Sequence, residues 1–146
     1  EDCVYMLIIN NVIPQTDGND YKLRVLESGT PNTTANYDRA YKTLRTDIDF
    51  QDTTGTNETS LDLATSIGND TGEEGNAIIY IYNAYNSTEF TFFSNEHVQL
   101  GTSSLLIGLQ GGGVFTSGSQ VNGVQILCQS GSTNFSSGRF SLYKVV

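Results

Sequence analysis

The chain has 146 residues, enough for one domain with a substantial core, and only 16% of them are charged. Its 16 acidic and seven basic residues leave a net charge of −9. This balance argues against direct nucleic-acid binding, because phosphate recognition needs clustered lysine and arginine. No stretch is apolar for long enough to form a transmembrane helix, so we expect no membrane insertion.

The N-terminal region reads as two strands joined by a turn. Residues 3–13 are apolar on both faces, which is typical of a strand that is central in a sheet or covered by another chain. Pro14 ends this run, and residues 16–19 have the composition of a tight turn. Residues 21–25 then alternate between apolar and basic side chains. We predict a β-hairpin from this pattern.

The next region is the most ambiguous. Residues 36–50 fit both helical spacing and strand alternation, and we favour a strand because the rest of the chain is rich in strand patterns. The Thr/Asn/Gly composition of residues 51–60 predicts a loop. Residues 61–67 are a short apolar stretch, and residues 68–75 form an acidic loop.

Three further strands are predicted before the C-terminal segment. Residues 76–83 are again apolar on both faces, and residues 89–100 carry aromatic side chains. Residues 104–109 alternate and lead into three glycines at 111–113, which we interpret as a flexible bend.

The C-terminal segment, residues 121–146, contains two alternating runs separated by a Gly/Ser-rich loop. We interpret it as a hairpin at the closing edge of the fold. Eight or nine strands about ten residues apart, with no convincing helix, predict a single all-β domain over residues 1–146. The expected architecture is a jelly-roll-like antiparallel β-sandwich.

Few residues suggest catalysis. The single histidine, His97, has no ligand set around it in the sequence, and Cys3 and Cys128 lie in apolar strands, where thiols are inert. Two free thiols are favoured over a disulfide, because the chain lacks the dense cysteine pattern of small stapled domains. The acidic loops match no EF-hand, so solvated carboxylates are favoured over a Ca²⁺ site. We therefore expect no enzyme activity and no cofactor.

Aromatic residues are the remaining candidates for a site. The chain has eight tyrosines and seven phenylalanines but no tryptophan. Core and interface packing is the favoured role, because aromatic side chains dominate buried area. The alternative is a platform on which sugar rings stack. Five tyrosines are candidates for the interface or the stacking role: Tyr37, Tyr41, Tyr80, Tyr82 and Tyr85.

The C-terminal segment also carries a short motif. Residues 122–126 read Asn-Gly-Val-Gln-Ile, Ser130 and Gly131 follow, and residues 138–143 read Gly-Arg-Phe-Ser-Leu-Tyr. This order resembles the C-termini of bacteriophage virion proteins from tail fibres, head fibres and minor structural modules. Those end in a strand, a Ser/Gly loop and a final strand that contains Leu-Tyr-Gly. Lys144 occupies the position of the family's last glycine.

The resemblance implies a β-sandwich on the virion surface, working as a structural or adhesion module with no catalytic residue. We expect a homo-oligomer, with a trimer favoured, in contact with other virion proteins. A carbohydrate-binding module that recognises host-surface glycans is the alternative.

Overall fold

The computed structural model describes residues 3–129 and 134–145, and almost all of its regular structure is β. The strands are β1 (Val4–Pro14), β2 (Asn19–Glu27), β3 (Thr30–Pro31), β4 (Tyr37–Arg45), β5 (Gln51–Glu58), β6 (Leu61–Ile67), β7 (Gly75–Tyr82), β8 (Thr91–Gly101), β9 (Leu105–Phe115), β10 (Gly123–Cys128) and β11 (Phe135–Val145). One 3₁₀ turn, Thr102–Ser104, is the sole helical element among these residues. No helix in the described part of the chain is long and apolar enough to cross a membrane.

All strand pairings are antiparallel, and they form two layers. Seven strands follow the order β11-β1-β7-β8-β9-β4-β5, which we call the large sheet. The small sheet has the order β10-β2-β6, and the short β3 pairs with the end of β2. One residue pair, Ile67 opposite Gly101, joins the two layers into a curled network. The predicted antiparallel β-sandwich is confirmed, with eleven strands rather than eight or nine.

The core lies between the two sheets and follows the period of two along each strand. Every second residue of β1, β2 and β7 is buried: Leu7 and Ile9; Tyr21, Leu23 and Val25; Ala77, Ile79 and Ile81. Burying one such aliphatic side chain contributes roughly 1.5–3 kcal/mol, so this shared core is the main reason why the sheets stay together. A smaller cluster of Tyr41, Ile107 and Leu109 lies between β4 and β9.

Both predicted hairpins are wrong. β1 pairs with β7 and β11 in the large sheet, whereas β2 pairs with β6 and β10 in the small sheet. The turn after Pro14 therefore crosses from one layer to the other. The C-terminal run behaves in the same way, because β10 and β11 lie in different sheets. Consecutive strands here bury their apolar faces against each other across the core, which local turn composition does not reveal.

Two other expectations are corrected. The segment predicted as a loop, residues 51–60, contains β5, a polar strand whose backbone pairs with β4. The predicted bend at residues 111–113 lies inside the continuous strand β9, which pairs with β4 and β8 on its two sides. The strand favoured for residues 36–50 is present as β4 and ends at Arg45.

The glycines of β9 are explained by crowding. A Cβ at Gly111 would meet the carbonyl oxygen of Ala40 at 2.2 Å, and one at Gly113 would meet a methyl group of Leu61 at 2.6 Å. Real Cβ atoms do not approach that closely. The three glycines therefore allow close packing within the sheet rather than a bend.

Candidate functional site

The C-terminal strand β11 forms one edge of the large sheet. Among the described strands it pairs with β1 alone, so its other backbone edge faces outward. Leu142 lies opposite the buried Leu7, yet 53% of Leu142 is exposed. Tyr143, on the other face of the strand, is 50% exposed. β11 thus presents large apolar side chains on both faces and an open backbone edge, a combination that favours pairing with another chain.

The inner face of β11 is covered at its start, where Phe135 packs against Tyr21 of the small sheet, but it is open around Leu142, which the small sheet does not reach. β10 is the nearest edge of the small sheet, and an apolar opening of about 210 Å³ separates the two strands. The side chains around this opening include Tyr5, Ile81, Val124 and Leu142. The two layers of the sandwich are therefore not closed along this side.

An apolar band continues from β11 across the outer face of the large sheet. Tyr143 lies opposite Met6 on β1, and Met6 lies opposite Tyr80 on β7. One row below, Ile8 lies opposite Ile78. Tyr80 and Ile78 are each more than one third exposed. This outer band explains why β1 and β7 are apolar on both faces: one face lies in the core and the other is presented to solvent.

The same face carries two shallow depressions of about 550 and 450 Å³, the first of which begins at Ile8 and Ile78 of the outer band. In the first, the amide of Gln110 donates to a carboxylate oxygen of Glu96 at 3.3 Å. In the second, exposed Phe92 lies beside a floor that contains Gly112 and Ala40. The small residues leave the sheet surface smooth next to an aromatic ring, an arrangement onto which a flat ligand fits.

The structure separates the five candidate tyrosines into three places. Tyr37 and Tyr41 are buried, so neither ring has a face available to a sugar. The hydroxyl of Tyr37 accepts from the backbone N–H of Val25 at 3.1 Å and donates to the carbonyl of Asn32 at 3.0 Å.

The remaining three tyrosines reach the surface. Tyr80 and Tyr82 lie on the outer face of β7, where the hydroxyl of Tyr82 is 3.3 Å from the Ser94 hydroxyl. Tyr85 follows β7 and lines the opening between β10 and β11, so it is not part of the same surface as Tyr80. Sequence periodicity did not predict that four apolar residues are exposed at the surface: Phe92, Phe140, Leu142 and Tyr143. Alternation cannot show which face the second sheet leaves uncovered.

His97 takes part in a buried polar chain rather than a reactive site. The carbonyl oxygen of the Gln99 side chain can only accept, so Nε2 of His97 donates to it at 2.7 Å. Nδ1 then accepts from the hydroxyl of Tyr21 at 2.9 Å. Gln99 in turn donates to the backbone carbonyl of Thr65. Burial lowers the pKa of His97 to about 4, so the imidazole is neutral at pH 7 with both nitrogens engaged.

The described cysteines and acidic residues were candidates for thiol chemistry and metal binding. Cys3 and Cys128 are both free thiols, and burial raises the pKa of Cys128, which lowers its reactivity. Among the described residues, no group of three or more His, Cys, Asp or Glu side chains could hold a metal ion.

No known protein family, curated protein or solved structure matches the chain.

Proposed function

We propose that this protein is a non-enzymatic β-sandwich module that assembles, through β11 and the outer band, into a virion appendage or surface structure. The observation that carries the assembly role is β11 itself. It combines a backbone edge that pairs with no other described strand with exposed Phe140, Leu142 and Tyr143 on its two faces. Natural sheets shield such an edge with charge, proline or a covering element. On β11 the charged side chains are Arg139 and Lys144, and large exposed apolar side chains lie between them, which suits pairing with another chain.

The virion setting is supported by the C-terminal resemblance. Its first part falls on β10, and its last part, residues 138–143, falls on β11. Ser130 and Gly131, which belong to the same motif, lie outside the described residues. The motif residues Phe140, Leu142 and Tyr143 are also the exposed apolar residues of β11. We accordingly propose a virion-surface location, a homo-oligomer with a trimer favoured, and other virion proteins as partners.

Sedimentation velocity and native mass spectrometry of the purified chain test the assembly role. We expect one discrete oligomer at micromolar concentration. Leu142→Ser with Tyr143→Ser should shift the protein to monomer with unchanged far-UV circular dichroism, because both side chains are half exposed. A wild-type chain that stays monomeric, alone and with the other proteins of its particle, would overturn the proposal.

A second function, glycan binding, is supported by one observation: exposed Tyr80 and Phe92 lie on the same face as the smooth floor around Gly112. Aromatic faces beside polar groups such as Glu96 and Gln110 suit sugar rings. A glycan array, with and without Ca²⁺, tests this function. We expect Phe92→Ala to abolish any binding and Tyr85→Ala, at the opening between β10 and β11, to leave it intact.

A further inference from the structure

Charge is divided very unevenly along the chain. All 16 acidic residues lie at or before Glu96, and the 50 residues from His97 onward contain no carboxylate side chain. The charged side chains of β11 are Arg139 and Lys144, both exposed. On a protein with a net charge of −9, one edge of the large sheet is therefore basic.

The opposite edge of the same sheet is acidic. It is formed by β5 and the residues that precede it, and we call residues 47–52 the acidic edge segment. This segment contains Asp47, Asp49 and Asp52, and also two exposed apolar side chains, Ile48 at 44% and Phe50 at 64%. Asp47 is paired with Arg45 at 2.8 Å and Asp52 with Lys42 at 2.9 Å, whereas Asp49 has no hydrogen bond or ion pair to any described residue.

The two edge strands run in the same direction, and their residues can be aligned by level, meaning the position along the strand direction. Six antiparallel pairings separate β11 from β5, so the two strands run in the same direction. Opposite residues can be followed across the sheet from Ser141 through Ile8, Ile78, Glu96, Gln110 and Lys42 to Asp52. Ser141 and Asp52 therefore stand at the same level on the two edges.

We infer that β11 of one copy docks along the acidic edge segment and β5 of the next copy, so that the large sheet continues from copy to copy. At equal level, Arg139 of one copy faces the region of Asp49 in its neighbour. Phe140 then stands level with Gln51, next to the exposed Phe50, and Leu142 stands level with Thr53. The contact thus brings basic Arg139 towards acidic Asp49 and excludes water from Phe140 and Phe50, which are exposed in the single chain.

This contact is head-to-tail, since it joins two different surfaces of the chain. Copies related by an axis along the strands keep the same strand direction, and the two edges then pair in parallel. A head-to-tail contact produces a ring if the rotation closes and a filament if it does not. The inference rests on the proposed assembly function and specifies which surfaces carry it.

Charge reversal tests the contact. Arg139→Glu with Lys144→Glu makes both edges acidic, and Asp49→Lys with Asp52→Lys makes both edges basic. We expect each variant to be monomeric by sedimentation velocity under conditions in which the wild-type chain assembles. The chain that carries all four substitutions has exchanged edges, and we expect it to assemble again. Restored assembly also shows that the substituted residues do not prevent folding.

Asp70→Lys with Glu89→Lys is the matched control, because both residues are exposed and lie outside the two edges. It should assemble like the wild-type chain. Normal assembly of the Asp49→Lys/Asp52→Lys variant would overturn the inference, and would indicate instead a symmetric contact between two copies of β11. A four-fold variant that remains monomeric would also overturn it. A monomeric wild-type chain would refute the proposed assembly function itself. The experiment therefore distinguishes a failure of that function from a failure of the docking contact.

Discussion

His97 lies on the inner face of β8, where the sheet would ordinarily bury an apolar residue. Tyr21 and Gln99 satisfy both of its ring nitrogens, and burial keeps the imidazole neutral. Neither nitrogen is exposed to a substrate, although the residue is the only histidine of the chain. His97 is therefore a structural residue of the core, held by hydrogen bonds to Tyr21 and Gln99.

The lowered pKa of His97 predicts a pH-dependent stability. In the unfolded chain the imidazole takes up a proton near pH 6.5, whereas in the folded protein it does so only near pH 4. Stability is therefore intact above pH 6.5 and falls as the pH drops towards 4, by about 3 kcal/mol from this group. Urea unfolding at both pH values measures the loss. His97→Gln should show a smaller loss over this interval, and an equal loss would contradict the assignment.

Replacement by leucine should have different effects on stability at the two buried amide side chains of β8, Asn95 and Gln99. Neither amide atom of Asn95 has a hydrogen-bond partner among the described residues, whereas Gln99 accepts from His97. Asn95→Leu should alter the free energy of unfolding by less than about 1 kcal/mol, or raise it. Gln99→Leu should lower that free energy by about 1–3 kcal/mol, because it strands the Nε2–H group of His97. Denaturant titrations of both variants and the wild-type chain measure which substitution lowers the free energy of unfolding more.

At the scale of single elements, β9 shows why glycine is an unreliable guide to bends. Its glycines lie between two neighbouring strands that satisfy the backbone on both sides. What they provide is room for Ala40, Tyr41 and Leu61, whose atoms come close to the β9 backbone. The strand remains regular because its pairing partners hold it, not because of its own propensity.

Alanine at Gly111 should therefore be costly. The added Cβ would meet the carbonyl oxygen of Ala40, and we expect the free energy of unfolding to fall by about 1–3 kcal/mol. Gly108→Ala on the same strand is the control, because its Cβ would meet nothing nearer than 3.3 Å. Thermal unfolding of both variants measures the difference. Equal stability of the two would indicate a flexible segment rather than a packed strand.

For the whole molecule, the main question is whether the two sheets are one folding unit. Their apolar faces form one core cluster, and a single residue pair is the only ladder contact between the layers in the described chain. Neither sheet can bury its inner face without the other. Unfolding should therefore be a single cooperative transition.

Core truncations in the two sheets test this cooperativity. Leu23→Ala in the small sheet and Ile79→Ala in the large sheet should each lower stability by about 2–5 kcal/mol, because both side chains are fully buried. In each variant, tyrosine fluorescence and circular dichroism should report the same midpoint. Leu106→Ala, at an exposed position, should change stability by less than about 1 kcal/mol. Two separated transitions in either core variant would contradict a shared core.

Composition and local alternation were sufficient to predict an all-β chain. The period of two identified the strands that bury one face, such as β2, and the two-sided patterns of β1 and β7 indicated strands that are central in a sheet or covered by another chain. Both strands are central, since each pairs on both sides. These features depend on neighbouring residues alone, which is why they can be read from the sequence. Strand β5 was missed because its Thr/Asn/Gly composition carries no apolar signal and its strand conformation depends on pairing with β4.

Only the tertiary structure decided which strands are neighbours and which apolar faces remain open. β10 and β11 look alike in the sequence, yet one edges the small sheet and the other the large sheet. Leu142 and Leu7 have the same residue type and lie opposite each other, but only Leu7 is covered by the second layer. Burial depends on contacts between residues far apart in the chain, and local periodicity contains no information about them.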